Sequence, residues 1–357
     1  MIERDEKAAS QNRPNVINPL TEAGRMERDR DITAFAAKHL AGPNQDLFED
    51  LLTTMARLAR DQTGRGDMKL LHKAIAELRY GFKVFRPYQH VRKISIFGSS
   101  RTPEADPDYE AAVDFGRAMS EAGWMVITGA GDGIMKAGHG GAGREASFGV
   151  AIRLPFEQKT NTIIAEDAKL VNFRYFFTRK LMFMKEASAV ALFPGGFGTQ
   201  DEGFEALTLV QTGKAPIVPI VMIEHRGGTY WPHWRTYVER ELLNKGMISP
   251  ADMSLFRIAD SYQAAVDEVI RFYRVYHSMR WVNDDLLLRL EQPISARLLD
   301  RLNLEFRGII TDGKIELSKA LPEEAAEFPE KPRLRMRFDK RSIGLLRQLI
   351  DQVNADE

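Results

Sequence analysis

The stretch Ala189-Val190-Ala191-Leu192-Phe193-Pro194-Gly195-Gly196-Phe197-Gly198-Thr199-Gln200-Asp201-Glu202 reads as a buried strand, a glycine-rich turn and the opening of a helix. Five apolar residues without polar alternation suit a strand covered on both faces, as in a parallel sheet. Glycines at 195, 196 and 198 let the backbone approach a ligand and aim N–H groups at an anion. The helix start adds roughly half a positive charge. Working outward, the same order of strand, glycine turn and helix recurs. Ile94-Ser95-Ile96-Phe97 runs into Gly98-Ser99-Ser100, and a helix over 108–122 follows, with Asp106-Pro107 as its start signal. Trp124-Met125-Val126-Ile127-Thr128 runs into Gly129-Ala130-Gly131-Asp132-Gly133. Further strands are expected at 149–154, 168–171, 216–223 and 256–259, with helices over 172–186, up to Thr212, and over 262–276.

The fold class that follows is α/β: a Rossmann-like doubly wound parallel sheet. The flanks differ in texture. Residues 1–30 are charged and poor in large apolar residues, and read as a loosely ordered arm. Residues 31–90 show helical spacing, as in Leu47, Leu51, Leu52, Met55 and Leu58, and form a helical N-terminal layer. The α/β domain is placed at 91–277. Residues 278–357 form a small α+β module, with a hairpin turning at Thr311-Asp312-Gly313, a Pro-rich acidic linker over 321–332, a strand over 333–338 and an amphipathic helix over 342–353.

Composition narrows the function. Lys+Arg and Asp+Glu both total 50 in 357 residues, so the basic surplus of a polyanion binder is missing and a nucleic acid polymer is not an expected partner. Absence of cysteine removes disulfides, thiolate catalysis and cysteine zinc sites. The N-terminus lacks an apolar signal region, and no apolar run reaches the ~20 residues of a membrane span. A cytoplasmic protein without membrane contact is expected. The seven histidines show no ligand spacing such as H-E-x-x-H, so no metal is expected. His139 stands apart because it follows the second glycine loop.

No G-x-G-x-x-G opens a helix after the first strand, and no G-x-x-x-x-G-K-[ST] exists, which lowers the weight of hydride and P-loop phosphoryl transfer. In open α/β sheets ligands bind at the carboxyl ends of the strands, where the three glycine turns lie. The turn at 98–100 divides evenly between ligand binding and plain chain reversal. The turn at 194–199 favours a phosphate. Beyond it stand Asp201, Glu202 and Glu205. Thr199-x-x-Glu202 has the form of a capping box, so the pattern alone divides evenly between capping and catalysis. Two observations favour chemistry: acids repel a bound phosphate, and the preceding helix carries Arg174, Arg179, Lys180 and Lys185. An arginine fork can hold a phosphate while a carboxylate stabilises an oxocarbenium-like cation or activates water.

Residues 194–202 resemble the P-G-G-x-G-T-x-x-E motif of the LOG-type phosphoribohydrolases, a family often labelled lysine decarboxylase, and Arg179-Lys180 resembles its companion Arg-Lys pair. The resemblance covers about 93–276 and is greatest to the longer bacterial nucleotide 5′-monophosphate nucleosidases. It implies Arg179 and Glu202 as catalytic residues. It implies ligand contacts from Gly98, Ser99, Gly129, Gly131, Glu157, Lys180, Gly195, Gly196, Gly198, Thr199, Asp201 and Thr208. Thr128-Gly129-Ala130-Gly131-Asp132-Gly133 departs from the small plant-type members, which favours purine or pyrimidine monophosphates over cytokinins. The implied reaction is hydrolysis of a nucleoside 5′-monophosphate, AMP for example, to free base and ribose 5-phosphate, with no cofactor and with a homodimer or higher homo-oligomer. A non-hydrolytic nucleotide-binding regulator would use the same cradle. A pyridoxal-phosphate decarboxylase built on Lys180 lacks an identifiable acidic partner for the pyridinium.

Overall fold

The computed structural model describes residues 21–153, 160–324 and 327–355. The chain divides into two compact units, 1–75 and 76–357, a boundary earlier than the 90/91 break expected from texture. The first unit holds α1 (Glu22–His39), α2 (Gln45–Arg60) and the opening of α3 (Arg65–Phe85), which continues into the second unit. Residues 22–30, expected in a loose arm, are helical. Thr21 supplies the reason, since its hydroxyl accepts from Gly24 N at 3.2 Å and caps the first turn.

The second unit is built on β1 (Lys93–Phe97), α4 (Pro107–Glu121), β2 (Met125–Thr128), α5 (Ile134–Ala142), β3 (Ser147–Ile152), β4 (Leu170–Phe173), α6 (Phe176–Glu186), β5 (Ala189–Leu192), α7 (Phe197–Gln211), β6 (Ile220–Ile223), α8 (Tyr230–Tyr237), β7 (Arg257–Ala259) and α9 (Tyr262–Phe272). The strands form one parallel sheet in the order β4-β3-β2-β1-β5-β6-β7. The chain starts at the centre, builds outward to β4, then crosses back to β1's other side. Alternate side chains serve opposite faces, as a period of two requires. Ile94, Ile96, Val126, Ala189 and Ala191 pack with Phe115 and Met119 of α4 and Ile134 of α5. Phe97, Ile127, Val190 and Leu192 pack with Met182 and Phe183 of α6 and Val210 of α7. α4 and α5 cross closely because Gly141 and Gly116 are bare: a Cβ on Gly141 would overlap the Val113 carbonyl, and one on Gly116 the Gly138 carbonyl.

The remainder contributes β8 (Tyr276–Val282), β9 (Asp285–Leu290), α10 (Ala296–Glu305), β10 (Ile310–Ser318), β11 (Arg333–Phe338) and α11 (Ile343–Val353). They form an antiparallel sheet in the order β10-β11-β9-β8. Two sequence expectations fail here. The helix expected to run to Tyr276 stops at Phe272, and the chain turns into the β8–β9 hairpin, with Asn283 in the left-handed region (φ 53). No hairpin forms at 311–313. Gly313 (φ 68) instead sits within the single strand β10, whose pairing with β11 shifts register there. The sheet shares its core with the parallel one, since Leu286, Leu288, Leu334, Leu346 and Ile350 belong to the same buried cluster as Phe173, Leu192 and Val210. Among the described residues no helix is long and apolar enough to cross a membrane.

Candidate active site

β1 and β5 lie side by side, and the connections leaving their carboxyl ends part to opposite sides, which opens a crevice. Three loops are stitched together there. Phe193 N donates to Phe97 O (2.8 Å), Ser99 N to Pro194 O (3.0 Å) and Ile134 N to Ser99 O (3.0 Å). A Cβ on Gly195 would overlap the Thr199 hydroxyl, so this turn closes only with glycine. Gly196 and Gly198 differ: a Cβ on either would meet no atom within 4 Å, because they face open space. The crevice is a cavity of about 730 Å³.

α7 begins at Phe197 with Gly196 as its cap and no side-chain cap. Thr199 therefore lies inside the first turn, its N–H bonded to Gly196 O at 3.0 Å, and Thr199 and Glu202 form no capping box. The N–H groups of Phe197 and Gly198 come before the first bond of the helix, and both residues line the cavity. Glu202, one turn further on, is 8% exposed and lines the same cavity. Burial pushes its carboxyl up to about 7, against the opposing charges of Lys180 and Arg179.

Arg179 reaches the cavity from α6. Its Nε donates to Val150 O within β3 (3.0 Å), and its guanidinium lies 5.2 Å from the Phe183 ring centroid. Gly129 makes the room, since a Cβ there would stand 2.5 Å from an Arg179 Nη and 2.7 Å from Met135 Sδ. Burial holds the guanidinium below its ordinary range, and the Glu202 charge acts the other way. A cation and a carboxylate thus line one cavity with a glycine turn at a helix start.

Part of the chain that carries this arrangement, Arg179 and the 194–202 turn included, matches a known family model. Residues 131–269 match the family described as "Possible lysine decarboxylase". No curated protein matches the chain. Solved structures similar to this chain include the structural-genomics protein TM1055, with 21% identity over 50% of this chain and 97% of that one, at a TM-score of 0.37. The Moco carrier protein from Chlamydomonas reinhardtii is 18% identical over 51% and 96%, at 0.36. DNA processing protein A from Helicobacter pylori is 14% identical over 50% and 80%, at 0.34. At these values the likeness carries no functional meaning.

Of the residues expected to contact ligand or to catalyse, the parallel-sheet fold brings Gly98, Ser99, Gly129, Arg179, Gly195, Gly196, Gly198, Thr199, Asp201 and Glu202 to the cavity wall. Three others lie elsewhere. Gly131 is buried beneath its loop, its carbonyl accepting from Asn161 Nδ2 at 2.9 Å. Thr208 sits on the exposed side of α7. Lys180 is drawn away by α7's acids, with Nζ 2.8 Å from Asp201, 2.7 Å from Glu205 and 4.0 Å from Glu202. Burial would lower its pKa, but the bonds to Asp201 and Glu205 outweigh this and raise it. A lysine held as an ammonium is a poor Schiff-base nucleophile. Glu157 lies outside the described residues. His139 is buried below the second loop, 3.1 Å from Thr128 Oγ1 and 3.0 Å from Phe148 O. Burial lowers its pKa to about 4 and keeps it neutral, so it props the loop.

Arg101, Met135, Phe176 and Gln200 line the cavity without having been singled out from sequence. Arg101 had a signal: it directly follows Gly98-Ser99-Ser100, a turn whose pattern alone was ambiguous. Tyr230, which touches the cradle from behind, had none.

Proposed function

We propose that this chain is a LOG-type phosphoribohydrolase, whose α/β domain hydrolyses the N-glycosidic bond of nucleoside 5′-monophosphates to free base and ribose 5-phosphate. The observation that carries this reading is the pairing of buried Glu202 with Arg179 across a cavity whose wall includes the open glycine turn. The phosphate sits on the first-turn N–H groups of α7, with Arg101 as a further cation at the wall. As the C1′–N bond breaks, the base leaves with the bonding pair and positive charge spreads over C1′ and the ring oxygen. An ionised Glu202 stabilises that charge and takes a proton from the water whose oxygen bonds to C1′. A carboxyl that titrates near 7 can release that proton again, toward the departing base nitrogen.

The test is chromatography of the full chain incubated with AMP, GMP, IMP, CMP, UMP and adenosine, beside Glu202→Ala. Base released from the monophosphates alone, and lost in the variant, is the expected result. Nucleotide binding without any base over hours would replace this reading with a nucleotide-binding regulator. A homodimer is part of the proposal, supported by the apolar face that α6 exposes at Phe176, Phe177 and Leu181, beside Arg179. Light scattering that returned a monomer would remove it.

A further inference from the structure

We infer that Tyr230 is a positioning residue for the anion cradle: its hydroxyl holds the Gly195–Gly196 peptide so that the Gly196 N–H faces a bound phosphate. The inference rests on the nucleoside-monophosphate reading above. The Tyr230 hydroxyl donates to Gly195 O at 2.5 Å and accepts from Gln200 Nε2 at 2.6 Å. The amide nitrogen of Gln200 can only donate, so the tyrosine proton is left pointing at the carbonyl. In a trans peptide the carbonyl and the following N–H point in opposite directions. Holding Gly195 O toward α8 therefore turns the Gly196 N–H to the other side.

Gly196 itself lines the cavity, and a Cβ on it would meet nothing within 4 Å, so this residue borders open space. A bond between two glycines is the peptide most free to flip, because neither residue carries a Cβ to resist it. After a flip the carbonyl oxygen, not the N–H, would face the phosphate, and an attraction would become a repulsion.

The tyrosine is anchored from behind rather than by the cradle. Glu224, just past β6, accepts from Tyr230 N (2.9 Å) and Trp231 N (3.2 Å). Trp231 Nε1 donates to Ile223 O (3.0 Å), and the two rings meet edge-on with centroids 4.8 Å apart. The position of β6 is thereby transmitted through one side chain to the anion site.

Tyr230→Phe keeps the ring and removes only the hydroxyl. Calorimetry on the full chain would measure ribose 5-phosphate, AMP and adenosine. Loss of one hydrogen bond and its orienting effect corresponds to a roughly tenfold weaker affinity for both phosphorylated ligands. Adenosine affinity is expected to stay as in the wild type. Gln200→Leu, which leaves the hydroxyl but frees its proton, is expected to fall between the two. Unchanged ribose 5-phosphate affinity in Tyr230→Phe overturns the inference, and so does equal weakening of all three ligands, the mark of general damage. The two proposals separate cleanly: base release by the wild type with an unaffected Tyr230→Phe leaves hydrolysis standing alone. Phosphate-specific weakening in a protein that releases no base leaves the lock standing alone.

Discussion

Glu202 has an ordinary carboxyl chemistry near 4.5 in water and titrates at about 7 in the fold. The direction fixes two outcomes. If the ionised form assists bond cleavage, base release rises with pH through about 7, and Glu202→Gln lies flat near zero across the range. Stability runs the opposite way. Between 4.5 and about 7 the folded state holds a proton that the unfolded chain gives up, so stability falls as pH rises through that window. Glu202→Gln is therefore expected to be more stable than the wild type above pH 7, by up to about 3 kcal/mol, and equal to it near pH 4. Denaturant midpoints at the two pH values check this, and a variant less stable at pH 8 would contradict it. Gly129→Ala acts on the partner: the new methyl must push aside the Arg179 guanidinium and Met135, both ends of flexible side chains. Activity is expected to fall at least tenfold with little change in melting temperature. At this scale much was legible, because a glycine cradle and its acids are contiguous in sequence. Tyr230 was not, because only the fold carries its hydroxyl to a carbonyl thirty-five positions upstream.

Among the elements, α4 and α5 make the tightest crossing, and they do so because bare glycines let backbone meet backbone. A methyl at Gly141 would overlap the Val113 carbonyl, which has no rotamer by which to withdraw. Gly141→Ala is expected to cost at least about 2 kcal/mol, read as a lower urea midpoint, whereas Gly140→Ala, whose Cβ would meet Ile163 Cδ1 at an ordinary 3.7 Å, should not. The inner strands β1, β2, β3, β5 and β6 were readable since burial on both faces leaves largely apolar runs. The β8–β9 hairpin was hidden for the complementary reason. β8 is half-buried along most of its length, with a Met279-Arg280-Trp281 texture that shows no clean alternation, and it follows α9 without a glycine or proline break. The turn misread at 311–313 shows that a glycine of positive φ marks a bulge as readily as a hairpin.

For the molecule as a whole, the second sheet is stapled by a buried ion network. Glu324 is fully buried, 2.7 Å from Arg289 and 3.2 Å from Arg333, and Arg289 also meets Glu327 at 3.0 Å. Burial alone would raise the Glu324 carboxyl, but its bonds to Arg333, Leu321 N and Arg289 hold it at about 2. Its contribution is thus present above 4.5 and lost only as pH falls through about 2. Glu324→Ala leaves two buried guanidiniums short of a partner and is expected to cost about 3–5 kcal/mol, with the urea midpoint as the measurement. Glu324→Gln, which keeps hydrogen bonding, should cost less. Nothing in the sequence announced this staple, since Glu324 sits in a stretch read as an acidic linker.

The central position of β1 has a consequence in time as well as in space. Its residues pair with β2 soon after both have left the ribosome, but its other edge waits for Ala189 and the strand that follows. Until then a strand with three large apolar residues in five stands with one ladder of N–H and C=O groups unmet, the kind of edge that pairs with the wrong chain. The crevice between β1 and β5 is therefore among the last parts of the sheet to exist. Refolding of this chain is expected to be slow, limited by that long-range pairing, and the capacity to bind ribose 5-phosphate should return with the slow phase rather than with the early gain of helix.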